Sequence, residues 1–478
     1  MRVGIISASF PPDFGWDGGA TRAYELAMGL KAAGHEVEIF ALAAEIESVT
    51  IQDGMRVHRV LVDQKLVQLK VVPKTTPNVL TIWSSRSALW KAFLKAHAQR
   101  PFEVLDIPNI LWDGLLPSIS GMVPVVVRLQ QNQSLYDKES IGAKSAFSLD
   151  SELVNQFSDL TLNMAEKIYS PTKELAAALV PSNPDKVDIV ADPIDMDRFT
   201  VYGAMAMPKD SDRKLVIVGK VRDKAVHKYM CDVIKGVNHQ NHEIPFLILA
   251  EDITSDDDEH HAQESVKGLL GEHNPVIVTR AYHQLLPDLL RSAQYVLVAP
   301  GSERVPYSWL EPMACQRAVI ANSDPGCEQY MRAGEDAVLV KPFDVKASVN
   351  AVLELFEDRA LRLKVGISGC RVVHESHCRR RVMGKLEDIY RAAIDNYRSE
   401  ERAAARAMAM HDFVQRSEAL VASYDKMLYD LLFVESPEFR FRHWFTKVAE
   451  SKSPAAPIAS TVAKIFGVKH TNGNSSPP

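Results

Sequence analysis

Cysteine is scarce in this sequence, and the few cysteines stand far from one another. Five are present, and no two of them have the short spacing of a metal or redox motif: Cys231, Cys315, Cys327, Cys370 and Cys378. Secreted domains and zinc sites usually carry cysteines at short, regular spacings. We therefore expect a reducing compartment, with neither disulfides nor a zinc site.

Long apolar runs are also missing. The start, MRVGIISASFPP, holds one arginine and an apolar run too short for a signal peptide, and no later stretch is apolar enough to cross a bilayer. We expect a cytoplasmic protein whose membrane contact, if it has one, is peripheral on the inner face.

An excess of positive charge is absent as well. The chain has 55 lysines and arginines against 61 aspartates and glutamates, a net charge of -6. A nucleic-acid partner requires a basic face for its phosphates, so it is not expected here. The chain's 478 residues are 46% hydrophobic and 24% charged, which is ordinary for a globular protein. A chain of this length predicts two or three domains.

The first βαβ unit lacks the glycine fingerprint of dinucleotide-binding proteins. A strand over residues 3–7 leads to Gly18 and Gly19, which let the backbone approach a ligand closely. Thr21 is placed to cap a helix that ends at Gly34, and a second strand covers residues 36–42. Neither a GxGxxG motif nor a suitably placed Tyr-x-x-x-Lys pair is present. A dehydrogenase or a sugar-nucleotide epimerase is therefore disfavoured.

Residues 295–340 carry the strongest functional signal. A buried strand over 295–300 leads through a turn to a helix that starts at Pro306, where proline suits the first turn, and a second strand covers 318–321. The free N–H groups of such a helix start bind anions. Glu303 in the turn and Glu311 in the helix predict a site for a sugar or ribose beside a phosphate. The alternative for each is an ordinary helix or surface carboxylate.

A second anion signal follows the strand predicted over residues 215–219. This strand ends in Gly219, and Lys220, Arg222 and Lys224 come directly after it. Cations at a strand end are suited to neutralise a diphosphate. The alternative is that they are solvated surface groups.

Two further stretches have weaker signals. The acidic run DDDEHH at residues 256–261 resembles a metal site, but six adjacent polar residues in a loop are usually solvated, and we expect no metal. Residues 401–435 have apolar positions near heptad spacing, which predicts an amphipathic helix that packs on the body or forms a dimer coiled coil. Residues 438–470 interleave cations and aromatics, either to rest on anionic lipid or to cover apolar surface.

The second half of the chain resembles the donor-site signature of the retaining glycosyltransferases of family 4, of the GT-B class. That signature has two glutamates separated by seven residues, an "AMA" segment, a "PV-I-A" strand and a Gly-x-x-Glu turn. Glu303 and Glu311 match its glutamates, PMACQRAVIA matches the segment and strand, and Gly326 and Glu328 match the turn.

The first half resembles the same family. The family opening has a strand, "FPP", a Gly-Gly loop, an "R-x-x-x-E-L-A" helix and a "GHEV" strand, and the matching positions here include Arg22, Glu25 and His35. Farther on, DKVDIVADPIDMDRF resembles the family's "V-I-P-N-G-V-D-x-x-R-F", with Asp195 and Phe199 retained. The resemblance covers about residues 1–398.

The resemblance implies an α/β protein with two Rossmann-like doubly wound domains facing across a cleft, plus a helical C-terminal extension. The expected boundaries are 1–200 for the acceptor-side domain, 201–213 for a linker, 214–398 for the donor-side domain, 399–470 for the extension and 471–478 for a disordered tail. The implied activity is that of a retaining hexosyltransferase. It would use a UDP- or GDP-linked sugar and a saccharide, lipid-linked or small-molecule acceptor, as in polysaccharide biosynthesis, without a cofactor or metal.

The resemblance also implies roles for single residues. Lys220, Lys224 and the N–H groups near Pro306 and Tyr307 would stabilise the leaving diphosphate. Glu311 would hold the ribose and Glu303 the sugar. Gly18, Gly19, Gly219 and Arg222 would complete the donor site.

Three departures from the family pattern bear on catalysis. Gln130 stands where relatives commonly have a histidine near the donor sugar, and an amide carries neither a proton nor a charge. Residues 304–306 replace a Gly-Phe-Gly segment, and Gln316 replaces a glycine. The rival hypothesis is therefore a catalytically inactive GT-B-like protein that binds a nucleotide or partner and uses its C-terminal helix for assembly.

Overall fold

Two β-sheets form the framework of the chain in a computed structural model. The structure describes residues 1–13, 16, 18–62, 77–110, 112–130, 149–205, 215–240, 244–253, 255–271, 276–280, 283–301, 307–323, 325–406 and 408. Residues 1–407 form one compact unit that holds both sheets, and a second unit begins at Met408.

The first sheet has eight strands in the order β3-β4-β2-β1-β5-β6-β7-β8, and only the pairing of β3 with β4 is antiparallel. Its strands are β1 (Arg2–Ile6), β2 (Glu36–Leu42), β3 (Ser48–Gln52), β4 (Met55–Val60), β5 (Val104–Pro108), β6 (Val125–Arg128), β7 (Lys167–Ser170) and β8 (Asp188–Ile189). The helices between them are α1 (Gly18–Ala32), α2 (Pro77–Gln99), α3 (Leu115–Ser120), α4 (Leu149–Met164) and α5 (Lys173–Leu179), with a 3-10 turn at Pro184–Lys186.

The second sheet has six parallel strands in the order β11-β10-β9-β12-β13-β14. Its strands are β9 (Leu215–Gly219), β10 (Phe246–Ala250), β11 (Val276–Arg280), β12 (Tyr295–Val298), β13 (Ala318–Asn322) and β14 (Val338–Val340). The helices are α6 (Lys224–Asn238), α7 (Asp256–Leu270), α8 (Leu286–Ser292), α9 (Tyr307–Ala314), α10 (Pro325–Glu328), α11 (Val345–Glu357), α12 (Arg359–Ser376) and α13 (Arg379–Tyr397).

The centre of each sheet is buried on both faces by helices. The central strands β1, β5, β9 and β12 have no exposed residue, as expected for parallel strands covered on both sides. The apolar side chains form two clusters around each sheet. This doubly wound pattern in both halves confirms the predicted fold class.

The last long helix, α13, packs against the first domain. Val382, Met383, Leu386 and Tyr390 of α13 lie in the same apolar cluster as Val3 and Leu26 of β1 and α1. The sequence analysis assigned residues up to 398 to the second domain, and for α13 this differs from the structure. The reason is that the apolar side of α13 fits the outer face of α1, where Met383 lies against the bare backbone of Gly29.

The chain therefore crosses between the domains twice, and the two crossings lie side by side. The Ile194 N–H donates to the His377 carbonyl at 2.8 Å, and the Arg379 N–H donates to the Ile194 carbonyl at 3.3 Å. These bonds join the outgoing segment near Ile194 to the returning segment near Cys378.

Residues 400–406 continue as a helix after α13. Arg402 and Arg406 both pair with the buried carboxylate of Glu166, which follows α4. The rest of the predicted extension and the predicted tail, apart from Met408, lie outside the described residues. The exact domain boundaries stay predictions. Among the helices that the structure describes, none has both the length and the apolarity to span a membrane.

Candidate functional site

The start of α9 supplies the centre of the candidate site. Every residue of this eight-residue helix is buried, and Trp309, Leu310 and Met313 belong to an apolar cluster of the second domain. The helix begins beyond the carboxyl end of β12, where open α/β sheets bind ligands. The predicted residues Glu303 and Pro306 lie outside the described residues.

Glu311 is held inside this helix with a buried carboxylate. Its side chain is on the second turn, and the residue is only 7% exposed. Burial raises the pKa of Glu311 well above its usual range, because Arg198 offsets only part of the cost while Glu25 and Glu251 add to it. No described residue donates a hydrogen bond to this carboxylate. A buried acceptor of this kind is suited to hydroxyl groups of a ligand.

Tyr307 joins the start of α9 to the first crossing. Its hydroxyl donates to the Pro193 carbonyl at 2.9 Å, and the guanidinium of Arg22, from α1, lies 5.9 Å from the ring centroid. The starts of α1 and α9 thus face each other across the interdomain cleft. The Tyr307 hydroxyl is occupied by this contact. The prediction concerned the backbone N–H of Tyr307, which the side-chain contact does not involve.

The turn after β9 carries the predicted cations. A Cβ atom at Gly219 would meet Ala299 Cβ at 2.8 Å and Met230 Sδ at 3.0 Å, so glycine allows β9 and β12 to lie close together. The N–H groups of Val221 and Arg222 each donate to the Asp252 carboxylate at 2.8 Å. These bonds fix the conformation of the turn.

The three cations differ in what they contact. Arg222 forms an ion pair with Asp258 of α7 at 2.5 Å, so its charge is already balanced. Lys220 and Lys224 are exposed, and no described residue forms an ion pair with either. Of the predicted cations, these two have ammonium groups available to a diphosphate.

In the first domain, Gly18 and Gly19 form the first turn of α1. The prediction that Thr21 caps this helix is wrong, because α1 begins three residues earlier, and the Thr21 hydroxyl instead donates to the Trp16 carbonyl at 3.4 Å. Arg22 pairs with Asp192 at 2.9 Å, and both are buried. The glycines at the helix start keep backbone rather than side chains at this edge of the cleft.

Gln130 lies two residues beyond the end of β6. Its N–H donates to Asn109 Oδ1 at 2.7 Å, which fixes the backbone at the carboxyl end of the first sheet. Its Nε2 is buried and has no hydrogen-bond partner in the part of the chain that the structure describes. The side-chain amide thus has donor capacity left for a ligand.

Several residues near the cleft were missed by the sequence analysis. Trp16 stacks on His283, with 3.2 Å between ring centroids, and Arg198 contacts both the ring and the carbonyl of His283. Burial, Arg198 and Arg379 lower the pKa of His283 to about 3, so the ring is neutral. Arg198 belongs to the quoted DPIDMDRF motif, whereas His283 has no local signal.

A second missed group links α1, the crossing and α13. Arg379 Nη2 lies 2.7 Å from Glu25 Oε2, and Arg379 Nη1 lies 2.7 Å from Asp195 Oδ2. Burial raises the pKa of Glu25 to about 7, although Arg379 acts in the opposite direction. This arginine holds both crossings close to the first turns of α1.

The acidic run forms the start of α7 rather than a loop. Ser255 caps this helix by accepting from the Asp258 N–H at 3.1 Å, and the first turn carries Asp256, Asp257, Asp258 and Glu259. Carboxylates in a first helical turn interact favourably with the helix dipole. In the described residues no cluster of three or more His, Cys, Asp or Glu side chains has a geometry for a metal ion. The expectation of a metal-independent site stays a prediction.

Comparisons with known proteins agree with this architecture. Residues 17–193 match the family described as "Glycosyl transferase 4-like domain". Residues 212–358 match the family described as "Glycosyl transferases group 1". The two matches together span more than half of the chain and correspond to its two domains.

The similar proteins are distant in sequence. The "Uncharacterized glycosyltransferase MJ1607" of Methanocaldococcus jannaschii is 18% identical over 411 residues, which are 83% of this chain and 99% of that protein. Sucrose-phosphate synthase from Thermosynechococcus elongatus has a TM-score of 0.63 and 18% identity, over 82% of this chain and 98% of the other. Anabaena HepE in complex with UDP and glucose has a TM-score of 0.58 and 12% identity, over 81% and 98%.

These similarities show the fold and the family of the chain. Two Rossmann-like domains that face across a cleft are the GT-B fold, and the solved structures share it over nearly their whole length. The chain belongs to the group 1 glycosyltransferases, with a 4-like domain in its first half. It is a transferase enzyme, as the family resemblance of its motifs predicted.

Proposed function

We propose that this glycosyltransferase takes its sugar from a nucleotide sugar, UDP-linked or GDP-linked, and transfers it with retention of anomeric configuration. The acceptor is a saccharide, a lipid-linked molecule or a small molecule. The proposal depends mainly on Glu311, because it is a buried carboxylate in the second turn of α9 with no hydrogen-bond donor among the described residues. Ribose hydroxyls would supply the missing donors.

The residues around Glu311 support the same assignment. The diphosphate would lie between the first turn of α9, near Tyr307, and the exposed ammonium groups of Lys220 and Lys224. These groups would stabilise the charge that grows on the leaving diphosphate, without a metal or cofactor. Gly18 and Gly19 would bring backbone N–H groups from the first domain to the diphosphate. Gly219 would keep the turn after β9 close to the end of β12.

Three predicted residues have more limited roles in this proposal. Glu303 would hold sugar hydroxyls, and Pro306 would start the helix. Gln130 would hydrogen-bond a hydroxyl of the sugar or the acceptor, and because it carries no charge it contributes orientation rather than proton transfer. Arg222 would act mainly on the turn, since Asp258 balances its charge.

The identity of the base is proposed from chemistry and a distant relative. HepE binds UDP and glucose, so UDP is the first candidate and GDP the second. A site built on a carboxylate and two lysines recognises ribose and diphosphate, which both nucleotides share.

Calorimetric titration with UDP and with GDP tests the proposal. We expect micromolar binding of one nucleotide and a loss of at least about tenfold in affinity, or ~1.4 kcal/mol, in Glu311→Ala. The control is Glu335→Ala, which removes an exposed carboxylate of the same domain and should leave affinity unchanged. If neither nucleotide binds the unmodified chain, the proposed donor site is wrong.

A further inference from the structure

Arg128 is a buried cation with no hydrogen bond in the part of the chain that the structure describes. It ends β6, is 2% exposed, and its Nε, Nη1 and Nη2 atoms all lack a partner. Burying a guanidinium without hydrogen bonds is unfavourable, so buried arginines are normally paired. The five N–H groups of Arg128 are therefore hydrogen-bond donors that a ligand could satisfy.

The nearest carboxylate does not satisfy this arginine. Asp106 Oδ1 lies 3.9 Å from Arg128 Nη2, which is too long for a hydrogen bond. Asp106 Oδ2 accepts from the hydroxyls of Tyr169 at 2.9 Å and Tyr390 at 2.7 Å. The two tyrosines thus hold Oδ2, while Oδ1, which has no hydrogen-bond partner among the described residues, is the oxygen nearest to the arginine.

Neighbouring buried arginines show the contrast. Arg22 pairs with Asp192 at 2.9 Å, and the Arg86 guanidinium contacts Asp113 directly. Arg128 is thus the member of this group whose counter-ion, Asp106, lies beyond hydrogen-bond distance. Its own environment keeps it charged, because Tyr169 and Asp106 more than offset the effect of burial on its pKa, which is raised.

The position of Arg128 connects it with the cleft. Arg128 is the last residue of β6, and Gln130, two residues on, has a buried Nε2 without a described partner. Arg128 interacts electrostatically with Arg22 and Tyr307, which lie at the starts of α1 and α9. Two unsatisfied donor groups therefore lie at one strand end beside the candidate site.

We propose that Arg128 and Gln130 bind an anionic group of the acceptor, either a phosphate or a carboxylate. The guanidinium fork would hold two oxygens, and the Gln130 amide would donate to a third oxygen or to an adjacent hydroxyl. The inference rests on the proposed function, with the acceptor on the first domain as the family resemblance implies. The donor diphosphate has separate cations, Lys220 and Lys224, on the second domain.

The test measures binding of charged and neutral sugars to the UDP-saturated protein. Glucose 6-phosphate, glucuronate and glucose are titrated by calorimetry at matched ionic strength. We expect one of the two anionic sugars to bind at least about tenfold more tightly than glucose, or ~1.4 kcal/mol. A preference for glucose 6-phosphate identifies a phosphate group, and a preference for glucuronate identifies a carboxylate.

Three variants connect the preference to the residues. Arg128→Gln should abolish it, Arg128→Lys should retain part of it because the charge stays while the fork is lost, and Gln130→Ala should weaken it. Arg100→Gln is the control, since Arg100 is an exposed arginine of the same domain that pairs with Glu36. If Arg128→Gln does not fold, the inference is tested with Arg128→Lys and Gln130→Ala.

Several outcomes overturn the inference. It is wrong if neither anionic sugar binds better than glucose, or if the preference survives in the Arg128 variants. It is also wrong if these variants weaken UDP instead, which would assign Arg128 to the donor. If UDP does not bind but an anionic sugar binds through Arg128, the proposed nucleotide-sugar donor is wrong and the proposed anion site is still supported.

Discussion

The indole of Trp16 lies flat on the imidazole of His283, with ring centroids 3.2 Å apart and planes at 4°. Trp16 precedes α1 in the first domain, and His283 follows β11 in the second. Arg198, from the crossing, contacts the same imidazole. The stack therefore joins both domains and the crossing at the edge of the cleft.

Stability should depend on pH through His283. Burial and two arginines lower its pKa to about 3, from an unfolded value of about 6.5. The folded state thus binds fewer protons, and the stabilisation that is complete above pH ~6.5 is lost as the pH falls below that value. His283→Phe keeps a ring but cannot titrate, so we expect the stability of the unmodified chain relative to the variant to be constant above pH ~7 and to fall from there to pH 5. Chemical denaturation at several pH values measures this, and a constant difference down to pH 5 would contradict it.

Removal of Lys220 and Lys224 should weaken binding of the diphosphate and not of the nucleoside. The double variant Lys220→Ala, Lys224→Ala should bind UDP at least about tenfold more weakly at low salt, with a smaller loss at high salt because exposed charges are screened. Uridine affinity should not change. Lys228→Ala is the control, since this lysine is on the same helix as Lys224 and pairs with Asp232 at 2.5 Å. Equal losses for UDP and uridine would argue against a diphosphate contact.

Nucleotide binding should release a proton from Glu311. Burial raises the pKa of this carboxyl well above its usual range, so it binds a proton more readily in the empty protein than when bound hydroxyls donate to its ionised form. Ribose hydroxyls donate best to an ionised carboxylate, and affinity for UDP should therefore rise with pH. Calorimetry in two buffers with different ionisation enthalpies counts the proton. Glu311→Gln should bind without this release, and release that persists in the variant would refute the assignment.

Two glycines should respond oppositely to alanine. In Gly219→Ala the new Cβ would meet Ala299 at 2.8 Å, so β9 and β12 must separate, at a cost of about 1–3 kcal/mol, and UDP affinity should fall. Gly268→Ala, on the exposed side of α7, meets nothing within 4 Å and should stabilise by about 0.5–1 kcal/mol. Urea denaturation compares the two variants, and a stable Gly219→Ala protein with full affinity would show that the close packing is dispensable.

The sequence predicted the sheets well and the helix contacts poorly. The predicted strands over 36–42 and 215–219 agree with β2 and β9 at both ends, because continuous apolar runs between turn residues leave little choice. The apolar face of α13 was equally visible, but a helical pattern does not say which domain covers it. Only the folded chain shows that it packs on α1.

The candidate site was predicted in its local parts. Gly219 ends a strand, Lys220 and Lys224 follow it, and Glu311 lies in the helix after a buried strand. Such positions are recognisable from sequence. Arg198, His283 and Arg379 come from segments far apart in the chain and meet only after the domains pack. That Arg128 has no hydrogen bond to any described residue is likewise invisible in a sequence, since it depends on where the Asp106 carboxylate points.

The paired crossings at Ile194 and Cys378 have a mechanical consequence. The outgoing and returning segments are hydrogen-bonded to each other. The domains are therefore connected along one line by two adjacent segments, which can act as a hinge. Opening of the cleft should then be a rotation about that line, with the rims moving most and the crossings least. A substrate would enter from the rim side, and Arg379, which holds Glu25 and Asp195 beside the hinge, would set how stiff the joint is.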